Sequence, residues 1–286
     1  LIIRVIYSIN KFGIPTFNDY SAKYIIWVPH FFTPRFLVND NLQKCLSVYF
    51  ILKNSNKKVT LYTKKDIGKF TKKVIFYFGS HQFNAYSFSN YMDILSHISH
   101  NLELQNNKVF PSSYEVSLWE NKSNMHKIFN EKEIRTPQSK IINLKNVDYE
   151  MINAFKYPAL IKEEHSCSSL GIYKVQTPED VYIYLEDKNI ILNNNEIILQ
   201  ELLEMRKDLR VILVGRKIVW HYWRINLEEE WKPTATGHGS KVDFENFPEK
   251  WRNWIIQAFV KLDITTGAFD IAWQNDDLEN EFFTGQ

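Results

Sequence analysis

The stretch Tyr157-Pro158-Ala159-Leu160-Ile161-Lys162-Glu163-Glu164-His165-Ser166-Cys167-Ser168-Ser169-Leu170-Gly171-Ile172-Tyr173-Lys174-Val175 decides how this chain is read. Apolar β-type runs at its two ends enclose a small polar loop, the pattern of two strands joined across a turn. The loop carries Ser166, Ser168, Ser169 and Gly171, whose hydroxyls and backbone N–H groups can wrap an anion. A lysine, Lys162, precedes it on the first strand.

Outward from this stretch the chain alternates strands and helices. Thr177-Pro178-Glu179-Asp180 starts a helix with a capping threonine, a proline at the first helical position and acids in the first turn. Ile197 to Leu203 reads as a buried strand. Leu209 to Val214 and Lys217 to Ile225 flank Gly215-Arg216 as a hairpin. Trp251 to Leu262 is an amphipathic helix, and Thr266 to Trp273 an apolar strand with one acid, Asp270, inside it. Upstream, Asn121-Lys122-Ser123 opens a helix with Met125, Ile128, Phe129 and Ile134 at helical spacing, stopped by Thr136-Pro137. A strand from Lys140 to Leu144 and a helix from about Asp148 to Phe155 follow.

The first part of the chain reads as a small α/β domain. Its strands are Ile2 to Tyr7, Tyr24 to Val28, Lys58 to Tyr62 and Lys73 to Phe78, with a helix from Leu42 to Lys53. His81, His97 and His100 read as surface histidines, because a metal site needs further ligands. The pattern changes near Pro111 to Ser113, which sets the domain boundary, with one domain over 1–112 and the next over 113–286.

Composition narrows the function classes. A chain of 286 residues with 44% hydrophobic and 24% charged residues is long enough for two folded domains and is neither disordered nor fibrous. It contains no apolar run long enough to span a bilayer. Two cysteines, Cys45 and Cys167, build no disulfide framework and suit a reducing cytoplasm. Only 9 glycines are present, and neither G-x-G-x-x-G nor G-x-x-x-x-G-K-[ST] occurs, so a phosphate site must rely mainly on side chains. Residues 1–75 hold 13 Lys/Arg against 3 Asp/Glu, and residues 226–286 hold 5 against 12. The basic part reads as solvated surface, with nucleic-acid binding as the weaker alternative.

The chemistry concentrates in the second part. Lys162, Arg210 and Arg224 sit on predicted strands and Lys122 at a helix start, and fixed cations of this kind can hold a triphosphate without a glycine-rich loop. Acids at Glu201, Asp208 and Asp270 suit the base, the ribose and a Mg²⁺ ion. Each residue also has a plainer reading: Lys162 in an ion pair with Glu163 or Glu164, Glu201 as a strand end. Trp220, Tyr222 and Trp223 read as packing residues of a hairpin, with base stacking as the alternative. Cys167 lacks the His and acid of a nucleophile triad.

In this order and spacing, the segments from about Trp119 to Asp270 resemble the ATP-grasp enzymes, most closely the branch of the ribosomal protein S6 glutamate ligases and related carboxylate-amine ligases. The matching segments are Asn121-Lys122, Tyr157-Pro158 to Lys162 with its small-residue loop, Gln200-Glu201-Leu202-Leu203, Asp208-Leu209-Arg210, the Val214-Gly215-Arg216 hairpin, Arg224 and Gly267-Ala268-Phe269-Asp270-Ile271. The resemblance implies an α/β (α+β) chain: a small N-terminal α/β domain, then an ATP-grasp domain of two α+β subdomains, a lid over about 119–200 and a C-terminal subdomain over about 201–286.

It further implies an ATP- and Mg²⁺-dependent ligase that forms a C–N bond through an acyl phosphate, with small-molecule or peptide carboxylate and amine substrates and no nucleic-acid or membrane partner. Lys122 and Lys162 would contact phosphates under a closing loop of Ser166, Ser168, Ser169 and Gly171. Glu201, Leu202 and Leu203 would meet the adenine, Asp208 the ribose, and Asp270 the Mg²⁺. Arg210, Arg224 and Lys232 would serve the reacting groups. A non-catalytic nucleotide- or peptide-binding module on the same scaffold is the other reading. Two departures stand out: Lys232-Pro233-Thr234 and His238-Gly239 replace an Arg-x-Asn segment and a glycine pair. The chain also opens at Leu1 and stops at Gln286, before the acidic residue and Asn expected after Asp270, and so reads as a piece of a longer protein.

Overall fold

The computed structural model describes residues 7, 9–11, 13–28, 40–64, 67, 70–77, 91–119, 121–165, 171–187, 190, 194–228, 231–280 and 282–285. Contacts divide the chain into two compact units, Leu1–Ser117 and Leu118–Gln286.

In the first unit the strands β1 (Tyr24–Trp27), β2 (Val59–Tyr62), β3 (Val74–Tyr77) and β4 (Lys108–Phe110) form a parallel sheet in the order β2-β1-β3-β4. A parallel sheet needs cover on both faces, and the alternation of β1 supplies two apolar faces. Ile26 joins Cys45, Leu46, Tyr49 and Phe50 of α1 (Asp40–Asn54), while Ile25 joins Ile75, Tyr77 and Leu102, the last from α2 (Tyr91–Leu104). The expected strand over Ile2 to Tyr7 is corrected at its end, where Tyr7 and residues 9–11 are helical; residues 2–6 lie outside the described residues. β4 is too short for its period to show in the sequence. His97 and His100 are exposed on α2, and His81 lies outside the described residues.

The second unit is built on two antiparallel sheets. In the first, β5 (Ser139–Asn143), β6 (Ala159–Glu163), β7 (Ile172–Val175) and β8 (Glu196–Glu201) lie in the order β5-β8-β6-β7. Their inner face packs with α5 (Tyr149–Asn153) and α6 (Pro178–Leu185) around Ile152, Ile161, Val181, Ile197 and Leu199. In the second sheet, β9 (Lys207–Val214), β10 (Lys217–Ile225), β11 (Lys241–Asp243), β12 (Thr266–Ala272) and β13 (Phe283–Gly285) take the order β11-β10-β9-β12-β13. Leu209, Val211, Leu213, Phe269 and Ile271 pack there against Met125 and Phe129 of α4 (Lys122–Glu131) and Ile255 and Phe259 of α7 (Arg252–Lys261). The short helix preceding α4 is α3 (Ser113–Trp119).

Local signals explain several boundaries. Asn121 caps α4 by accepting from the Asn124 N–H, and Asp148 caps α5 by accepting from Met151. Thr177 and Asp180 form a reciprocal capping box at α6 with Pro178 at its first position. Truncating the Thr177 cap should lower stability by about 1 kcal/mol, which a shift in the denaturant midpoint of Thr177→Ala at constant slope would show. The turn between β9 and β10 needs a left-handed residue, and Gly215 supplies it with φ +61°. The strand expected to run to Leu203 ends at Glu201, the last residue paired with β6, opposite Ala159.

Candidate nucleotide-binding and ligase site

The register of the second sheet places charge on one face. Asp208 lies opposite Arg224 and Ala272, and Arg210 opposite Tyr222 and Asp270. The intervening residues Leu209, Val211, Trp223, Phe269 and Ile271 point into the core, so strand alternation drives Asp208, Arg210, Arg224 and Asp270 together on the other face. Arg210 Nη1 donates to both carboxylate oxygens of Asp270, at 2.9 and 3.1 Å. Arg224 Nη2 lies 2.8 Å from Asp270 Oδ2, and its Nε donates to Asp208 Oδ1 at 3.0 Å while Nη2 bonds Asp208 Oδ2.

Two carboxylates and two guanidiniums thus form a neutral, hydrogen-bonded network, the arrangement that lets charges be buried at bearable cost. Burial pushes Asp208 above the usual carboxylate range, and the neighbouring charge of Asp270 adds to it against the pull of Arg224 and Thr234. Burial opposes the charge of Arg224, but Asp270 and Asp208 outweigh it and hold the guanidinium more firmly protonated.

A second group of cations gathers on the first sheet and α4. Lys162 lies on β6 opposite Ile172 and Ile198, on the face away from core residue Ile161. Burial draws its pKa down to about 8, with Asp270 partly offsetting the shift. His126, one turn beyond Lys122 on α4, is buried. Burial first, then the charges of Lys162 and Lys122, lower it to about 3, so it stands as a neutral imidazole between two lysines. Glu164 anchors this corner: it is buried and accepts from Asn121 Nδ2 at 2.6 Å and Asn195 N at 3.2 Å, while its carbonyl accepts from Lys122 N at 3.0 Å. Glu163 instead accepts from the Tyr184 hydroxyl at 3.2 Å. The carboxylate that acts on Lys162 is therefore Asp270, from the other sheet, and not a chain neighbour.

Between the sheets the chain runs through Glu201, Leu202 and Leu203. Glu201 Oε1 accepts from Gln138 N at 2.7 Å, and Leu202 and Leu203 line a cleft of about 440 Å³ with Met205, Arg206, Asn226 and Trp231. Lys232 bonds Glu228, which lines the same cleft. Gly171, with φ +65°, immediately precedes β7, and its carbonyl accepts from Glu163 N at 2.9 Å. Ser166, Ser168 and Ser169, and with them Cys167, lie outside the described residues. Cys45 is buried in the first unit, where burial raises its thiol to about 12.

The donor chemistry suits a nucleotide. Lys162, with the charge of Asp270 acting on it from the other sheet, is the kind of fixed cation that meets phosphate oxygens. For magnesium the fit is narrower. Among the described residues no group of three His, Cys, Asp or Glu side chains stands ready for a metal. Mg²⁺ is, however, commonly held by one or two carboxylates together with substrate phosphates, and Asp270 supplies one.

A family model for the RimK-like ATP-grasp domain matches residues 119–280. The chain belongs to the RimK-like ATP-grasp family. The fold agrees throughout the ATP-grasp neighbours. The RimK domain ATP-grasp protein of Sphaerobacter thermophilus DSM 20745 superposes with a TM-score of 0.60 at 9% identity, over 91% of this chain and 88% of that one. D-alanine–D-alanine ligase of Bacillus anthracis gives 0.63 at 9%, over 93% and 86%. The ATP-grasp ligase PsnB, complexed with precursor peptide PsnA2 and AMPPNP, gives 0.53 at 13%, over 93% and 88%. No curated protein matches the sequence.

Within this RimK-like ATP-grasp unit, sequence reasoning had not selected His126, Glu164, Asn226 or Trp231. His126 carries a visible signal, its four-residue spacing from Lys122; the others declare themselves only through burial and long-range contact.

Lys162 makes a pH prediction. Its folded pKa of about 8 lies below the 10.5 of a free lysine. The cost of burying its charge is therefore full below about 8 and is relieved as pH rises from there toward the free-lysine value, the window in which the folded state binds fewer protons than the unfolded one. Affinity for a nucleotide runs the other way, falling as Lys162 loses its proton above about pH 8. A charge-assisted bond is worth about 1.5–3 kcal/mol, roughly 10- to 100-fold in Kd. Calorimetric titration of ATP from pH 7 to 9.5 should show this loss in the wild type and a flatter profile in Lys162→Arg, whose cation persists.

Proposed function

We propose that this chain is an ATP- and Mg²⁺-dependent carboxylate–amine ligase that works through an acyl phosphate. The observation that carries the reading is Asp270, bound by Arg210 and Arg224 within its own sheet while its charge acts on Lys162 from the other. Family membership over residues 119–280 supports it.

In this reading Lys122 and Lys162 hold the ATP phosphates, and the loop of Ser166, Ser168, Ser169 and Gly171 covers them against water. Glu201, Leu202 and Leu203 receive the adenine at the cleft, and Asp208 meets the ribose. A substrate carboxylate oxygen attacks the γ-phosphorus, and the bond to the β-bridging oxygen breaks to release ADP. The amine nitrogen then attacks the acyl carbon, phosphate leaves, and the amine gives up a proton. Arg210, Arg224 and Lys232 face the charge that gathers on the transferred oxygens; fixed donors pay no reorganisation cost at that moment. When bound, Mg²⁺ held by Asp270 neutralises phosphate charge. The setting is the cytoplasm, whose reducing conditions suit a chain with two cysteines.

The test is ADP release in the presence of ATP, Mg²⁺, a carboxylate and an amine. The ligase reading requires release that depends on both organic substrates. Nucleotide binding without such turnover across a broad panel would make the chain a non-catalytic binding module.

A further inference from the structure

The charged face of the second sheet continues into an aromatic one. On β10 the side chains alternate: Trp223 is buried in the core, while Trp220 and Tyr222 share the opposite face with Arg224. This corrects the packing reading of Trp220, which is 56% exposed. A bulge at Val219 separates Ile218, packed on the core, from Trp220 and sets the latter opposite Ile212. Phe244, 55% exposed, lies just past β11 and stacks on Trp220 with centroids 5.7 Å apart and planes at 17°, while Tyr222 stands 5.9 Å from Phe244. Trp220 and Phe244 are open to water and Tyr222 beside them is half-buried; so contiguous an apolar surface is costly unless a ligand covers it.

The platform has a polar end. Tyr222 is paired directly with Arg210, whose side chain is 34% exposed, the more open of the two arginines. Both bonds from Arg210 to Asp270 use Nη1, so among the described residues the Nε and Nη2 groups of the guanidinium stand ready for an incoming anion. Trp220 lies two residues further along β10, about 7 Å, comparable with the reach of an arylalkyl side chain from the carboxylate it accompanies.

We infer that the platform of Trp220, Tyr222 and Phe244 receives an aromatic or large apolar group on the carboxylate substrate while Arg210 holds its carboxylate, so that the ligase selects carboxylates bearing such a group. The inference rests on the carboxylate-activating reading above and adds a substrate class to it.

Hydroxylamine, which traps an acyl phosphate as a hydroxamate whatever the natural amine, makes the test general. With ATP and Mg²⁺, kcat/KM for N-acetylphenylalanine and N-acetyltryptophan should exceed that for N-acetylalanine by about tenfold, the scale of one well-placed aromatic contact. Trp220→Ala should bring the ratio close to one, and Phe244→Leu should lower it in part. Equal rates across the panel, or a ratio that survives Trp220→Ala, would overturn the inference. If no carboxylate yields hydroxamate, the ligase reading fails by itself. The platform is then judged by saturation-transfer NMR of N-acetylphenylalanine against N-acetylalanine with AMPPNP and Mg²⁺ present: selective binding lost in Trp220→Ala supports it, and equal or absent binding overturns it.

Discussion

Replacing Arg224 with methionine should cost about 3–5 kcal/mol of folding stability, the range found when one member of a buried ion pair is removed. The size follows from what is left behind. Side chains of Asp208 and Asp270 are only 6% and 13% exposed, and each now leans on the same guanidinium. Without it, two carboxylates face each other out of water, and Asp270 keeps Arg210 and the charge of Lys162.

The loss should depend on pH with a definite sign. Asp208 is already held above the usual carboxylate range by burial, then by Asp270, with Arg224 pulling it back. Removing Arg224 lets it rise further, so the folded variant retains a proton that the unfolded chain releases, and its stability falls with rising pH through that window. Denaturant melts of wild type and variant should therefore lie far apart at pH 7 and approach each other near pH 5. Arg224→Met combined with Asp208→Asn should recover part of the loss, because the double change removes the stranded charge. A gap that stays constant with pH would show that packing of the arginine stem, and not its charge, accounts for the cost.

Lys162→Met should have the opposite character: little or no loss of stability and a fall of about 100- to 1,000-fold in ATP-dependent turnover. Its ammonium lies in surroundings that disfavour charge, so a neutral, unbranched replacement relieves that penalty. A preorganised cation facing a transferred phosphoryl group is among the largest single contributions to catalysis, with losses of 10²–10³ on removal of one such donor as a guide. Unfolding midpoint and turnover measured on the same preparation separate the two effects. A variant with full turnover would remove Lys162 from the site.

How far the sequence could be read depended on how local each signal was. Caps announced themselves: Asn121, Asp148 and Thr177 each stand at the start of the helix expected of them. The hairpin around Gly215 and the strands on either side of the serine-rich loop were equally plain, since turn chemistry and period two act over a few residues. Arg210, Arg224, Asp208 and Asp270 could be picked out singly, but that they would bond one another was not legible, because it depends on the register of β9 against both β10 and β12. Trp220 and Trp223 fall on opposite faces of β10, but the bulge at Val219 breaks the count from core-packed Ile218, so which of them meets the core could not be read from alternation. Glu164 looked like one of two surface acids beside a lysine. Its burial comes from Asn121, 43 residues away, which no local pattern reveals.

The most direct test of the site is a crystal structure of the protein with AMPPNP and Mg²⁺. The account requires the nucleotide in the second unit, its phosphates within hydrogen-bonding distance of Lys162 and Lys122, its base against Leu202 and Leu203, and Asp270 turned to the metal. A nucleotide bound elsewhere, or a site that leaves Lys162 without a phosphate contact, would contradict it.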